Sequence, residues 1–299
     1  MKWRGRRQSS NVDDRRGQGG PQQGFGGFNP MLLGPLLKIL FSKTGLFIVG
    51  AFLVISLIMG KNPLRLITQF LGGGLPTTES SAPYTPTAEE EELADFSATI
   101  LANTEDVWNQ LLDNYREPTL VLFTGSVASA CGSASSATGP FYCPGDEKLY
   151  IDLSFFDDME KQLNAPGDFA QAYVIAHEVG HHIQKIMGIT EKVQRLRGQV
   201  SDTEYNQYSV RLELQADFLA GVWAHHSQQM TKMMETGDLQ EAMNAANAIG
   251  DDRLQKQSTG RVVPDSFTHG TSAQRMRWFK KGFETGDLSQ GDTFNANPL

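Results

Sequence analysis

The sequence predicts an α+β protein: a small sheet followed by a mainly helical body, preceded by one transmembrane helix. Three observations lead there. TGLFIVGAFLVISLIMG, residues 44–60, runs 17 residues without a charge, which suggests a membrane span. PTLVLFTGSV (118–127) and KLYIDLSFF (148–156) are short runs of strand-forming residues. From about Phe169 almost to the end the chain reads as helical, with breaks at Gly188, near Ser201, at Gly237 and through KQSTGRVVPDSFTHGT.

Taken in order, residues 1–43 read as a basic cytoplasmic arm, partly disordered. They hold eight basic and two acidic side chains, a net of +6, which leaves −14 on the remainder of a chain whose total is −8. Residues 1–30 are too poor in large apolar side chains to build a core. Lys43 and Lys61 bracket the apolar run, which as a helix spans roughly 26 Å, close to the hydrocarbon thickness. No small-residue cleavage site follows it. The excess of basic residues before it places the N terminus in the cytoplasm. The expectation is therefore a single-pass protein of the inner (cytoplasmic) membrane, held through residues 44–60, with its body extracytoplasmic (periplasmic). Residues 61–86 form a linker rich in Gly, Pro, Ser and Thr, and Thr87 with Glu90 makes a capping-box pattern that opens a folded domain over 87–299. The short arm and acidic body argue against a nucleic-acid partner.

The chemistry concentrates in AHEVGHHIQ, residues 176–184. On a helix His177 and His181 share one face, and two neutral imidazoles one turn apart can chelate a Zn²⁺ ion. Glu178 lies about 100° further round, poorly placed as a ligand but able to take a proton from a metal-bound water. The surrounding residues Tyr173, Val174, Ile175, Val179, Ile183, Ile186 and Met187 would bury this helix. Two histidines and a glutamate stranded there without partners would be unfavourable, and a metal removes that problem.

A third ligand decides the subclass. A spacing that adds a histidine six residues after His181 is excluded, because that position is Met187. The gluzincin pattern instead takes a glutamate from a later helix. SVRLELQADFLAGVWAHH supplies Glu213 as ligand and, one turn on, Asp217, which could accept the ring N–H of a ligand histidine. His182, His225 and His226 are weaker candidates, the first pointing away from the chelating face and the other two lying at a helix end. Near the C terminus, SFTHGTSAQRMRWF offers His269 and Arg275 as donors to an oxyanion. These residues together describe peptide-bond hydrolysis by a zinc-activated water, with Glu178 as general base and peptides or proteins as substrates. A strand just upstream of such a helix, here 148–156, is the candidate to pair with an extended substrate if it lies at a sheet edge. The alternative is a zinc-dependent structural or interaction module without turnover, for which an intact Glu178 would be superfluous.

Five segments, MKWRGRRQSSNVDDRRG, CGSASSATGPFYCPGDEKLYIDLSFF, AHEVGHHIQ, LELQADFLAGVWAHH and PDSFTHGTSAQRMRWF, closely resemble the bacterial neutral zinc metallopeptidases. The resemblance implies a zincin-like catalytic domain behind one membrane helix and supplies no substrate. Residues 211–217 and 269–275 also look like the distal elements of another group of membrane gluzincins, in which a proline often follows the late histidine; here that residue is Gly270. In an extracytoplasmic domain Cys131 and Cys143 would close a short loop as a disulfide, with two free thiols as the other reading.

Overall fold

The computed structural model describes residues 1–18 and 84–299. All of them but Tyr84 belong to one compact unit, which runs over Met1–Gly20 and Thr85–Leu299. The strands and helices are β1 (Val12–Asp14), α1 (Ala88–Leu111), β2 (Thr119–Phe123), β3 (Ser126–Ser129), β4 (Gly132–Ser135), β5 (Phe141–Cys143), β6 (Lys148–Asp152), α2 (Ser154–Lys161), α3 (Asp168–Ile186), α4 (Ile189–Gln194), α5 (Asp202–Thr231), α6 (Asp238–Ala248), α7 (Asp251–Thr259) and α8 (Ser272–Thr285).

The main sheet has the order β1-β2-β6-β5, with β5 antiparallel to β6 and the other pairings parallel. Its side chains alternate between faces, as the pleat requires. Leu120, Leu122, Leu149 and Ile151 join the large core beneath the helices, while Val121, Phe123, Tyr150 and Cys143 form a smaller cluster with Val127 of the β3–β4 hairpin. Cys131, at the tip of that hairpin, is disulfide-bonded to Cys143 at the end of β5. The segment Ser154–Phe156, which the sequence reading attached to the second strand, instead opens α2. At the start of α1, Thr87 caps the helix and Glu90 reaches back to the Thr87 N–H at 2.7 Å, so the capping box is formed.

Close backbone approaches position the long helices. A Cβ added at Gly180 in α3 would meet the Ala216 carbonyl of α5 at 2.9 Å, closer than side-chain carbons tolerate. Gly221 of α5 and Gly282 of α8 abut each other's helix backbone in the same way. Glycine at these points lets α3, α5 and α8 pack at backbone contact.

Two expectations require correction. The described residues are mixed helical with two small sheets, and no helix among them is long and apolar enough to cross a membrane. The apolar run 44–60 itself lies outside the described residues. What overturns the single-pass arrangement is where its flanks go. The opening segment is folded onto the body rather than solvated: Val12, Asp13 and Asp14 pair with Leu120, Val121 and Leu122, and Trp3 packs edge-on against Phe96 at 5.3 Å. One crossing between residues 18 and 84 would place these partners on opposite sides of a bilayer. Three arginines of the opening segment reach acids of α1. Arg7 holds the buried Glu105 at 3.0 Å and Asp106 at 2.8 Å, Arg4 bonds Glu92, and Arg16 reaches Glu91 at 3.2 Å.

Because Trp3 is only 8% exposed, Trp3→Ala should lower the unfolding free energy by about 3 kcal/mol, read from the denaturant midpoint. A solvated arm would give no change.

Candidate metal centre

Three helices build the site. α3 carries His177, Glu178 and His181, and α5 carries Glu213 and Asp217. α8 carries Arg275, and the loop before it carries His269. The packing at Gly180 brings the two ligand-bearing faces together. Nε2 of His177 lies 3.2 Å from Glu213 Oε2, and Nε2 of His181 lies 3.4 Å from Glu213 Oε1.

The other ring nitrogens are already engaged. His177 Nδ1 meets Asp217 Oδ1 at 2.8 Å, and His181 Nδ1 meets Gln184 Oε1 at 2.9 Å. In the neutral rings, donation from each Nδ1–H would leave an Nε2 lone pair beside Glu213 on both histidines. Ligand atoms of a tetrahedral zinc, bonded at 2.0–2.1 Å, stand about 3.3 Å apart, close to the 3.2 and 3.4 Å that separate Glu213 from the two histidines. The three donors lie within 4.8 Å of one another, and the chemistry of the set, two imidazoles and a carboxylate, suits zinc. The electrostatics agree. Burial favours the neutral ring of His177, but the Asp217 and Glu213 carboxylates prevail and raise its pKa to about 9. Burial likewise opposes the charge on Glu213, yet the two histidines hold its carboxyl well below the usual range. Without a metal the histidines supply the positive charge that Glu213 requires; a divalent cation would take over that role and release their protons.

Asp217 is fully buried. Besides His177 it accepts from the Tyr173 hydroxyl at 2.5 Å and from Arg275 through Nε at 2.8 Å and Nη2 at 2.9 Å. Burial pushes its carboxyl up, and the Arg275 guanidinium with His177 brings it below the ordinary aspartate value. Arg275, expected as an oxyanion donor, is thus committed to Asp217, and its Nη1 also reaches the Ile249 carbonyl at 3.3 Å. Neither Arg275 nor Tyr173 was paired with Asp217 from the sequence, where Tyr173 stood only as a residue that buries the helix. Tyr173 stands one helical turn before His177, which is the signal that could have found it.

His269 lines the same cleft as Glu213. Its Nδ1 is 3.2 Å from Asp251 Oδ1, and Asp251 Oδ2 accepts the backbone N–H groups of Thr268, His269 and Gly270. Asp251, which sequence reading passed over, therefore folds the loop that presents His269. The Asp251 hydrogen bond, opposed by burial, raises the His269 pKa. Glu178 is 8% exposed, lines the cleft, and its carboxylate hydrogen-bonds no other described residue. His182 is buried between the Tyr142 hydroxyl at 2.9 Å and the Arg116 carbonyl at 2.5 Å. His225 and His226 bond the carbonyls of Phe283 and Gly286, at 2.7 and 2.9 Å. The strand expected to border the site, β6, is enclosed by β2 and β5. The edge is β5, whose Phe141 and Tyr142 line the cleft.

A glutamate from one helix faces a histidine pair on another, a donor set that could hold a metal ion. Residues 1–294 match the family model described as "Putative neutral zinc metallopeptidase", and the chain belongs to that family. It is 50% identical to "Uncharacterized protein YpfJ" of Escherichia coli (strain K12), over 99% of this chain and 100% of the relative. It is 43% identical to "Uncharacterized protein Rv2575" of Mycobacterium tuberculosis (strain ATCC 25618 / H37Rv), over 66% of this chain and 69% of the relative. No solved structure matches the chain.

Asp217→Ala would leave Arg275 buried without a counter-charge. It should lower the stability of the metal-free protein by about 3–5 kcal/mol in denaturant unfolding and weaken metal affinity about 10–100-fold in a chelator titration. Because the folded Asp217 pKa lies below its unfolded value, its ionic contribution is present above pH about 4 and is lost as pH falls further, through the folded value. Metal-free wild type should lose stability over that acid range, with the Asp217→Ala variant showing a shallower decline.

Proposed function

We propose that the protein is a gluzincin-type zinc peptidase in which His177, His181 and Glu213 hold the metal and Glu178 is the general base. The observation that carries this reading is the convergence of both Nε2 atoms on the two Glu213 oxygens, with Asp217 and Gln184 occupying both Nδ1 atoms. Zinc held by these residues would act as a Lewis acid toward water and the substrate carbonyl. Glu178 keeps an unengaged carboxylate in the cleft, so it can accept a proton from the attacking water and deliver it to the leaving amine. Asp217 fixes the His177 tautomer and is itself fixed by Arg275 and Tyr173, so His177 cannot rotate without breaking buried hydrogen bonds. His269, anchored by Asp251, offers its other ring nitrogen to the carbonyl oxygen as negative charge develops there. β5 presents a free edge along the cleft, to which an extended peptide backbone can add as a strand.

Metal analysis of the full chain beside two variants tests the assignment. Wild type and Glu178→Gln should each carry one zinc per chain, while Glu213→Ala should lose it. Against a mixed peptide library the wild type should cleave, and Glu178→Gln should be slower by at least about 100-fold. Tight zinc binding by Glu213→Ala would remove Glu213 from the ligand set. Undiminished cleavage by Glu178→Gln would remove the general base.

A further inference from the structure

The cleft is two adjoining hollows of different character that meet at the metal centre, since Glu213 and His269 line both. The first, about 540 Å³, presents the buried Val174, one helical turn before His177, and the half-buried Phe155, Ile249 and Leu254. Its ionisable side chains, tyrosines aside, are those of the centre itself: His177, Glu178, His181, Glu213, His269 and Arg275. Arg275 is bonded to both oxygens of Asp217, and the histidines and Glu213 face one another. Glu178 is the one carboxylate of this lining without a hydrogen-bond partner among the described residues, and the proposed reaction occupies it with the attacking water. An anionic substrate side chain would therefore meet like charge and a cationic one would compete with that water, whereas an apolar one would cover apolar surface already in place.

The second hollow, about 440 Å³, is lined by Arg197, Asp202, Tyr205, Asn206 and Ser209. The Arg197 guanidinium stands over the Tyr205 ring at 5.3 Å and makes no ion pair with a described residue. This side offers hydrogen bonds and charge in place of apolar area.

We infer that the centre selects peptide segments asymmetrically: a large aliphatic or aromatic side chain on one side of the scissile bond, seated against Val174, Ile249 and Leu254, and a polar residue on the other. The inference rests on the peptidase reading for the cut, and on the two linings for the choice. An apolar pocket of this kind discriminates about 10–100-fold between a filling side chain and a small one.

The test uses the zinc-loaded full chain and a library of internally quenched peptides with one randomised position on each side of the cut. Peptides with Leu, Met or Phe on one side should show kcat/KM about 10–100-fold above those with Gly or Asp there. Leu254→Ala should narrow that ratio about tenfold, and Leu254→Lys should shift the choice toward acidic side chains, each with zinc content unchanged. Capture of the same peptides by zinc-loaded Glu178→Gln supplies a readout without turnover. Cleavage at equal rates for apolar and charged residues overturns the selectivity and leaves the peptidase reading standing. Selective capture of apolar peptides without cleavage by wild type leaves the pocket standing and overturns the peptidase reading. Neither cleavage nor selective capture overturns both.

Discussion

One buried carboxylate ties the molecule together. Asp217 on α5 accepts hydrogen bonds from Tyr173 and His177 of α3 and from Arg275 of α8, and none of its surface reaches solvent. A carboxylate and a guanidinium withdrawn from water are tolerated only when each finds a partner in good geometry. That requirement acts on all three helices at once. The same contact therefore closes the core and fixes the ring that faces Glu213, so stability and site geometry cannot be adjusted separately here.

The approach of the helices is the other half of that arrangement. Salt bridges and ring contacts cannot form across a gap, and the gap is closed by glycine. Gly180 sits between the two histidines of the motif and opposite Ala216, the residue just before Asp217. Gly221 and Gly282 do the same where α5 meets α8. Polar residues set what the site can do, and these small ones set whether its parts can meet.

The legibility of the sequence follows from the range of each interaction. His177 with His181, and Glu213 with Asp217, are pairs four residues apart on helices, so local periodicity alone put each pair on one face. The disulfide partners were visible because the chain holds only two cysteines. The capping box at Thr87 and Glu90 is equally local and was readable. The partnership of Arg275 with Asp217, and of Asp251 with His269, joins separate helices or a helix and a loop, and composition carries no trace of it. The opening segment was misread for the same reason. Arg4 and Arg7 looked like solvated charge because Glu92, Glu105 and Asp106, which receive them, lie 88 to 99 residues away. The sheet edge also turned on a non-local fact: β6 acquires β2 on one side from beyond a hairpin, so the shorter β5 is left outermost.

The pairing of β1 with β2 makes the body discontinuous in sequence, with Val12 opposite Leu120. A strand synthesised first must wait for more than a hundred further residues before its partner exists, a long loop closure that local helices such as α1 do not face. The same geometry governs what a protease could accomplish. A single cut anywhere between residues 18 and 84 would not release a shortened body. It would yield a two-chain complex whose smaller piece stays bound through three strand residues, Trp3 and a row of arginines. Separating the pieces would expose the unpaired side of β2 and strip Glu105 of its counter-charge, so a nicked molecule would run as two bands under denaturing conditions and as one particle under native ones.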